Sequence, residues 1–159
     1  MSRSLPRNTV LVGDVRERLA GLPDASVDTV ITSPPYVALR NYGMADQIGA
    51  TADTDGWVND MREVGRQVAR VLKPSGSWWL NIGDSYSRHP RSGAPAKSLL
   101  MAPERLAIAL IGDGWTIRNK VTWAKTNPMP NSVADRLACT SEVVYFLVRS
   151  PRYHFDLDA

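Results

Sequence analysis

Residues Thr32-Ser33-Pro34-Pro35-Tyr36 place a hydroxyl, two consecutive proline rings and an aromatic side chain directly after the apolar run Val27-Asp28-Thr29-Val30-Ile31. Proline fixes its own φ, lacks a backbone donor and restricts the residue before it, so a strand entering this stretch must stop. The result is a set of rigid backbone carbonyls and a flat ring at a strand's C-terminal end. Open α/β sheets bind their ligands there, and the stretch reads as a catalytic loop. Ser-Pro-Pro also suits a surface turn, so the neighbouring elements decide between the two readings. A second stretch with binding chemistry is Ser85 to Ser98, rich in Ser, Gly and Pro, where Arg88, Arg91 and Lys97 surround His89. It reads as a mobile cationic loop, either merely solvated or in contact with phosphate.

The elements that must position these residues follow from periodicity. Thr9 to Val12 reads as a short strand closed by Gly13-Asp14, and Val15, Leu19 and Leu22 then recur at helical spacing. Val27 to Thr32 is the next strand, followed by a polar loop from Val37 to about Asp55, a length that tends to be functional. Trp57, Val58, Met61, Val64, Val68, Val71 and Leu72 mark one helix face, with Thr54 or Asp55 as N-cap and Lys73-Pro74-Ser75-Gly76 as the stop. Ser77 to Ile82 is a strand closed by Gly83-Asp84. Pro103 then suits a first helical turn, Leu106, Ala107, Leu110 and Ile111 form an apolar face, and Gly112-Asp113-Gly114 ends it. Trp115 to Ala124 is strand-like, Lys125 to Leu137 is a loop, and Glu142 to Arg149 is a last strand, antiparallel to the one before it because no helix joins them. The pattern predicts an α/β fold with a mainly parallel sheet, helices on its faces, and both functional loops at one edge.

Composition bounds the answer more loosely. The 159 residues fit one domain, and 43% hydrophobic with 22% charged residues is ordinary for a soluble globular chain. No apolar run is long enough to span a membrane, and Met1-Ser2-Arg3-Ser4-Leu5-Pro6-Arg7 lacks the apolar core of a signal peptide, which predicts a cytoplasmic protein. The net charge of +3 favours polyanion partners only mildly. The single Cys139 reads as a small buried hydrophobe. Neither His89 nor His154 has a partner at ligand spacing, so no metal is expected. Trp78, Trp79 and Trp123 read as core residues of strands.

The ordered segments resemble the DNA amino-methyltransferases, which methylate the exocyclic nitrogen of cytosine (N4) or adenine (N6) with S-adenosylmethionine. Beyond Ser33-Pro34-Pro35-Tyr36, the similarity runs through Leu39-Arg40-Asn41-Tyr42-Gly43, Gln47-Ile48-Gly49, Arg70-Val71-Leu72-Lys73-Pro74 and Trp79-Leu80-Asn81-Ile82-Gly83-Asp84-Ser85-Tyr86. It continues in Trp123-Ala124-Lys125-Thr126-Asn127-Pro128-Met129-Pro130 and Thr140-Ser141-Glu142, covering nearly the whole chain. The resemblance implies a Rossmann-like methyltransferase fold with an antiparallel last strand. It also implies a bacterial or phage-infected cell, restriction-modification, and duplex DNA whose target base is flipped out as partner. An exocyclic amine on an aromatic base is a poor nucleophile and must be pyramidalised and aimed. The resemblance assigns that task to the Ser33 side chain and the Pro34 carbonyl, stiffened by Pro35, with Tyr36 stacked on the base. It places Asp14, Thr32 and Ser33 near the cofactor, and Arg40, Tyr42, Asp84, Arg88, Arg91, Lys125 and Asn127 toward the base or the phosphates.

One part of the family pattern is missing. Such enzymes carry a Phe-x-Gly-x-Gly turn after a strand for the cofactor's methionine portion; this sequence has none, and Gly112-Asp113-Gly114 follows a helix instead. Tyr153-His154-Phe155-Asp156 resembles the sequence just before the target-recognition region and cofactor half in the branch where the proline motif comes first. Residues 1–159 are therefore expected to be the catalytic-loop half of a methyltransferase domain. The absent strands would lie between the Thr9 and Val27 strands, a gap of roughly 14 Å at about 4.8 Å per strand. The expectation is a truncated product or one half of a split enzyme, completed by a second polypeptide that carries the glycine turn. Serine before the prolines leans toward cytosine N4. Adenine N6, an RNA or protein-amide target, and a non-catalytic DNA-binding remnant are the alternatives.

Overall fold

The computed structural model of the chain describes residues 6–37, 39–40, 42–44, 47–49 and 53–158. Met1 to Leu5 and Asn41, which figure in the readings above, lie outside them. Among these residues three α-helices, α1 (Val15–Ala20), α2 (Thr54–Val71) and α3 (Ala102–Gly112), and one 3₁₀ turn at Pro90–Ser92 accompany four strands, β1 (Val27–Thr32), β2 (Leu72–Ile82), β3 (Thr116–Ala124) and β4 (Ser141–Val148). The strands form one sheet in the order β1-β2-β4-β3. β1 pairs parallel with β2, and β4 pairs antiparallel with both β2 and β3. Three strands thus run one way and the last runs against them, as expected. β1, β2 and β3 all end at one edge of the sheet, and β4, running the other way, begins there.

The core lies on one face of that sheet. Trp78, Leu80, Ile82 and Leu147 are fully buried against Trp57, Met61, Val64 and Val68 of α2 and Leu106 and Leu110 of α3. The apolar spacing of α2 puts those side chains on one stripe, which is why the helix lies flat on the sheet. Its N-cap is Asp53, whose carboxylate accepts from the amides of Asp55 and Gly56 at 3.1 Å, rather than Thr54 or Asp55. Thr54 is instead buried, its hydroxyl donating to the Ser92 carbonyl at 2.5 Å. The helix stop becomes part of β2. Val27 faces Leu72 but Thr29 faces Ser77, so Lys73 to Gly76 form a wide bulge in a strand that starts earlier than the pattern suggests.

The opposite face carries no helix among the described residues. Paired residues on neighbouring strands share a face, so Ile31, Trp79, Phe146, Val144, Val121 and Trp123 all point to this side. Phe146 is covered by Trp79, with ring centroids 4.4 Å apart, and by Tyr153 and Phe155. Ile31 stays 79% exposed and Trp123 57% exposed, so the expected core role of Trp123 does not hold. β3 is an edge strand, and no described helix covers Val121 and Trp123 on this face. Ile111 is also exposed, because α3 turns only the Leu106–Ala107–Leu110 stripe inward.

Two further expectations fail for related reasons. Thr9 to Val12 forms no strand, and Val10 and Val12 are 86% and 84% exposed. A strand exists only through its ladder, and no described strand lies beyond β1 to supply one. Cys139 is exposed rather than buried, because it sits on the rim of a cavity with its sulfur 3.4 Å from the Tyr86 hydroxyl. Among the described residues, no helix is long and apolar enough to cross a membrane.

Candidate active site

The sheet edge where β1, β2 and β3 stop and β4 starts gathers the polar residues of four segments. Ser33 to Tyr36 leave β1, Gly83 and Asp84 leave β2, Lys125 leaves β3, and Glu142 enters β4. A cleft of about 500 Å³ opens there, lined by Ser33, Pro34, Tyr36, Arg40, Tyr42, Lys125 and Glu142 with Leu39 and Met129, a size suited to a small-molecule or base ligand.

The proline loop is held from below. Trp57, in the first turn of α2 and 1% exposed, donates its indole N–H to the Pro35 carbonyl at 2.8 Å. Gly49, at φ +78°, approaches so closely that a Cβ there would lie 3.0 Å from the Tyr36 carbonyl oxygen. On the other side Gly83 lets the Tyr36 ring lie against the end of β2, where an added Cβ would come within 2.7 Å of Tyr36 Cε2. Gln47 pins the next part of the loop, accepting from the Tyr42 amide at 2.6 Å and donating to the Arg40 carbonyl at 2.7 Å.

Four side chains then form one network with Ser33. The Tyr36 hydroxyl donates to Glu142 Oε2 at 2.7 Å and lies 3.4 Å from Ser33 Oγ. Asn81 Nδ2 donates to Glu142 Oε2 at 3.1 Å and lies 3.3 Å from the Tyr36 hydroxyl and 3.5 Å from Ser33 Oγ. Lys125 Nζ is 2.5 Å from Glu142 Oε1. Burial raises the Glu142 carboxyl's affinity for a proton, but donation from Lys125, Tyr36 and Asn81 outweighs it and holds the group below the usual carboxylate range. Burial, together with the Glu142 charge, pushes the Tyr36 phenol up to about 12, so it keeps its proton at any physiological pH. Asn81 Oδ1 is buried and accepts from no described group.

The residues expected at a site divide clearly. Ser33, Pro34, Tyr36, Arg40, Tyr42 and Lys125 share the cleft, with Pro35 behind it. Asp84 caps α3, accepting from the Met101 and Ala102 amides at 3.0 and 3.1 Å, with burial raising its pKa, and lines a second cavity that Tyr36, Lys125 and Glu142 also border. It and Arg88 line an adjoining cavity of about 480 Å³, beside Arg136, whose guanidinium lies 3.7 Å over the Tyr86 ring. Arg91 and Asn127 are exposed and line neither cavity. The stretch from Ser85 to Ser98 is laced rather than free. Ser87 accepts from Lys97 and donates to Ser98 through the backbone, and Ser87 and Ser92 are buried. The Thr32 hydroxyl is taken by the Trp78 indole N–H at 2.8 Å. Asp14 caps α1 and pairs with Arg16, whose hydrogen bonds lower its pKa to about 2.

Two residues of the network, Glu142 and Asn81, are not singled out by sequence reasoning. Each offers a signal of the same kind: one hydrogen-bonding side chain at an otherwise apolar strand, at the end where the loops gather.

A DNA methylase family model matches residues 27–159. The chain is 46% identical over 162 residues to the type II methyltransferase M.SfiI of Streptomyces fimbriatus, a match covering 96% of this chain and 38% of that protein. It is 37% identical over 171 residues to the type II methyltransferase M.SmaI of Serratia marcescens, covering 94% and 59%. The chain therefore spans between about two fifths and three fifths of these relatives. In fold it matches the cytosine-N4-specific PvuII DNA methyltransferase with a TM-score of 0.73 at 22% identity, over 92% of this chain and 50% of that one. A Thermus thermophilus protein solved in complex with S-adenosyl-L-methionine matches with a TM-score of 0.68 at 24% identity, covering 92% and 55%. The sheet is thus part of the Rossmann-like methyltransferase fold.

Proposed function

The chain belongs to the DNA methylase family, and from that premise we propose that it forms the target-amine side of a DNA methyltransferase that modifies N4 of a flipped cytosine. The observation that carries this reading is the cleft in which Ser33 and Pro34 stand beside the Tyr36–Glu142–Asn81 network. The Ser33 hydroxyl and the Pro34 carbonyl, stiffened by the proline rings, can accept from an exocyclic amine and aim its lone pair, while the Tyr36 ring walls the pocket. Arg40 and Tyr42 are placed at the mouth to meet the base or its phosphate. Arg88, Arg91 and Asn127 lie outside the cleft and are assigned to the DNA backbone.

The residues present fit S-adenosylmethionine only in part. When bound, that group supplies an electrophilic methyl on a sulfonium sulfur. Ser33 lies at the open edge of β1 and can face it, but the Thr32 hydroxyl is engaged by Trp78 and Asp14 by Arg16. No described strand turns into a glycine-rich loop of the required kind. The bare sheet face around Ile31, the unpaired edge of β1 and the exposed Val10–Val12 segment present apolar surface that folded sheets normally cover. We assign it to strands and helices of a cofactor half, on the same or a second polypeptide, so that residues 1–159 act as the catalytic-loop half. The setting is the cytoplasm of a bacterial or phage-infected cell.

Mass analysis of nucleosides from DNA treated with the assembled enzyme tests the target. N4-methylcytosine is expected, and N6-methyladenine alone would refute the choice of base.

A further inference from the structure

Among the described residues, one carboxylate lies within hydrogen-bond reach of the Ser33–Tyr36 pair, and it is Glu142. Its position sets the direction of the whole chain of groups. The Tyr36 proton is committed to Glu142 at 2.7 Å, so the phenol oxygen is left as an acceptor for Ser33 at 3.4 Å. With its own hydrogen turned toward Tyr36, Ser33 presents lone pairs to the cleft, where an amine would donate. The Asn81 amide donates into the same three oxygens and reinforces that direction, but a neutral amide cannot take a proton.

We propose that Glu142 is a positioning residue that also receives, through the Tyr36 and Ser33 hydroxyls, the proton shed by the methylated amine. The inference rests on the methyltransferase reading above. A methyl group arriving on the amine would leave its nitrogen with one hydrogen too many, the methyl donor keeping the electron pair of the bond it gives up. Ser33 Oγ takes that proton while passing its own to the Tyr36 oxygen, and Tyr36 passes its proton to Glu142 Oε2. Both hydroxyls end neutral and the carboxylate becomes a carboxylic acid, so charge and atoms balance. A nitrogen so protonated on an aromatic ring is a far stronger acid than a carboxylic acid, so a carboxylate kept well ionised still accepts from it.

The titratable and charged groups that face Glu142 are Lys125 from the end of β3 and Tyr36 from the proline loop. Arg40 and Tyr42 stand across the cleft, and Asp84, Glu104 and Cys139 lie in the cavity behind. Lys125 at 2.5 Å restores the ionised state once the proton has left to solvent.

Two measurements decide the matter. In the chain itself, the Glu142 carboxyl, followed by carbon NMR, should titrate below the usual range, and Tyr36→Phe should move that titration upward because a donor to the charged form is lost. An unmoved titration would overturn the path. In the assembled enzyme, Glu142→Gln and Tyr36→Phe should each slow single-turnover methyl transfer by about 10²- to 10⁴-fold, and the double variant should be no slower than the slower single one. Losses that multiply, or a Glu142→Gln rate equal to wild type, would overturn it as well. Should the wild-type assembly transfer no methyl group, the functional reading itself fails, while the titration still judges the Tyr36–Glu142 coupling.

Discussion

Ser33→Ala is expected to slow methyl transfer by the assembled enzyme about 10²- to 10³-fold, the usual cost of removing one preorganised group at a centre of developing charge. DNA affinity should change little. The Ser33 side chain is exposed, and its polar neighbours among the described residues lie at 3.4 Å (Tyr36) and 3.5 Å (Asn81), so the fold does not depend on it. An interaction formed mainly as the amine pyramidalises lowers kcat and kcat/KM together when it is lost. Ser33→Thr, which keeps the hydroxyl, should recover part of the rate. A Ser33→Ala enzyme with wild-type kcat would remove Ser33 from the chemistry and with it the main argument for the proline loop.

The second large effect lies in the support beneath that loop. Trp57→Ala should cost about 3–5 kcal/mol of stability, the range for deleting a large buried aromatic side chain. Trp57 is 1% exposed and packs at the junction of α2 and the proline loop. Trp57→Phe separates its two roles. It keeps much of the packing but leaves the Pro35 carbonyl without its donor at 2.8 Å, which should cost about 1–3 kcal/mol. Urea unfolding of both variants measures these losses. Equal stability of Trp57→Phe and wild type would mean that the indole does not hold the loop.

These two residues also show how far the sequence reaches. Trp57 and the rest of the α2 stripe are legible because helical spacing repeats over many residues, and β1 and β4 because apolar runs end at prolines or at a turn. The proline loop suggests itself through residue chemistry, and the ordered segments around it separate it from a surface turn. Glu142 does not, because its role depends on an antiparallel β4 that starts where β1 to β3 stop, bringing it to Tyr36 across 106 positions of sequence. Asp84 shows a different gap: a polar residue at the right edge also caps α3, a role that spacing cannot distinguish from binding. Arg91 and Asn127 sit on loops whose direction is set by packing rather than by local preference. Thr9 to Val12 has strand composition but no neighbour among the described strands to pair with, and composition carries no information about whether one is there.

Transfer of a labelled methyl group from S-adenosylmethionine to duplex DNA can be followed with this chain alone, with a separately produced cofactor half carrying a glycine-rich turn, and with the two together. Label is expected on DNA only when both are present, and is expected to be lost when the chain carries Ser33→Ala. Transfer by the chain alone would contradict the assignment of the cofactor side to other strands and helices, and no transfer by the pair would contradict the assignment of the target-amine site to Ser33 through Tyr36.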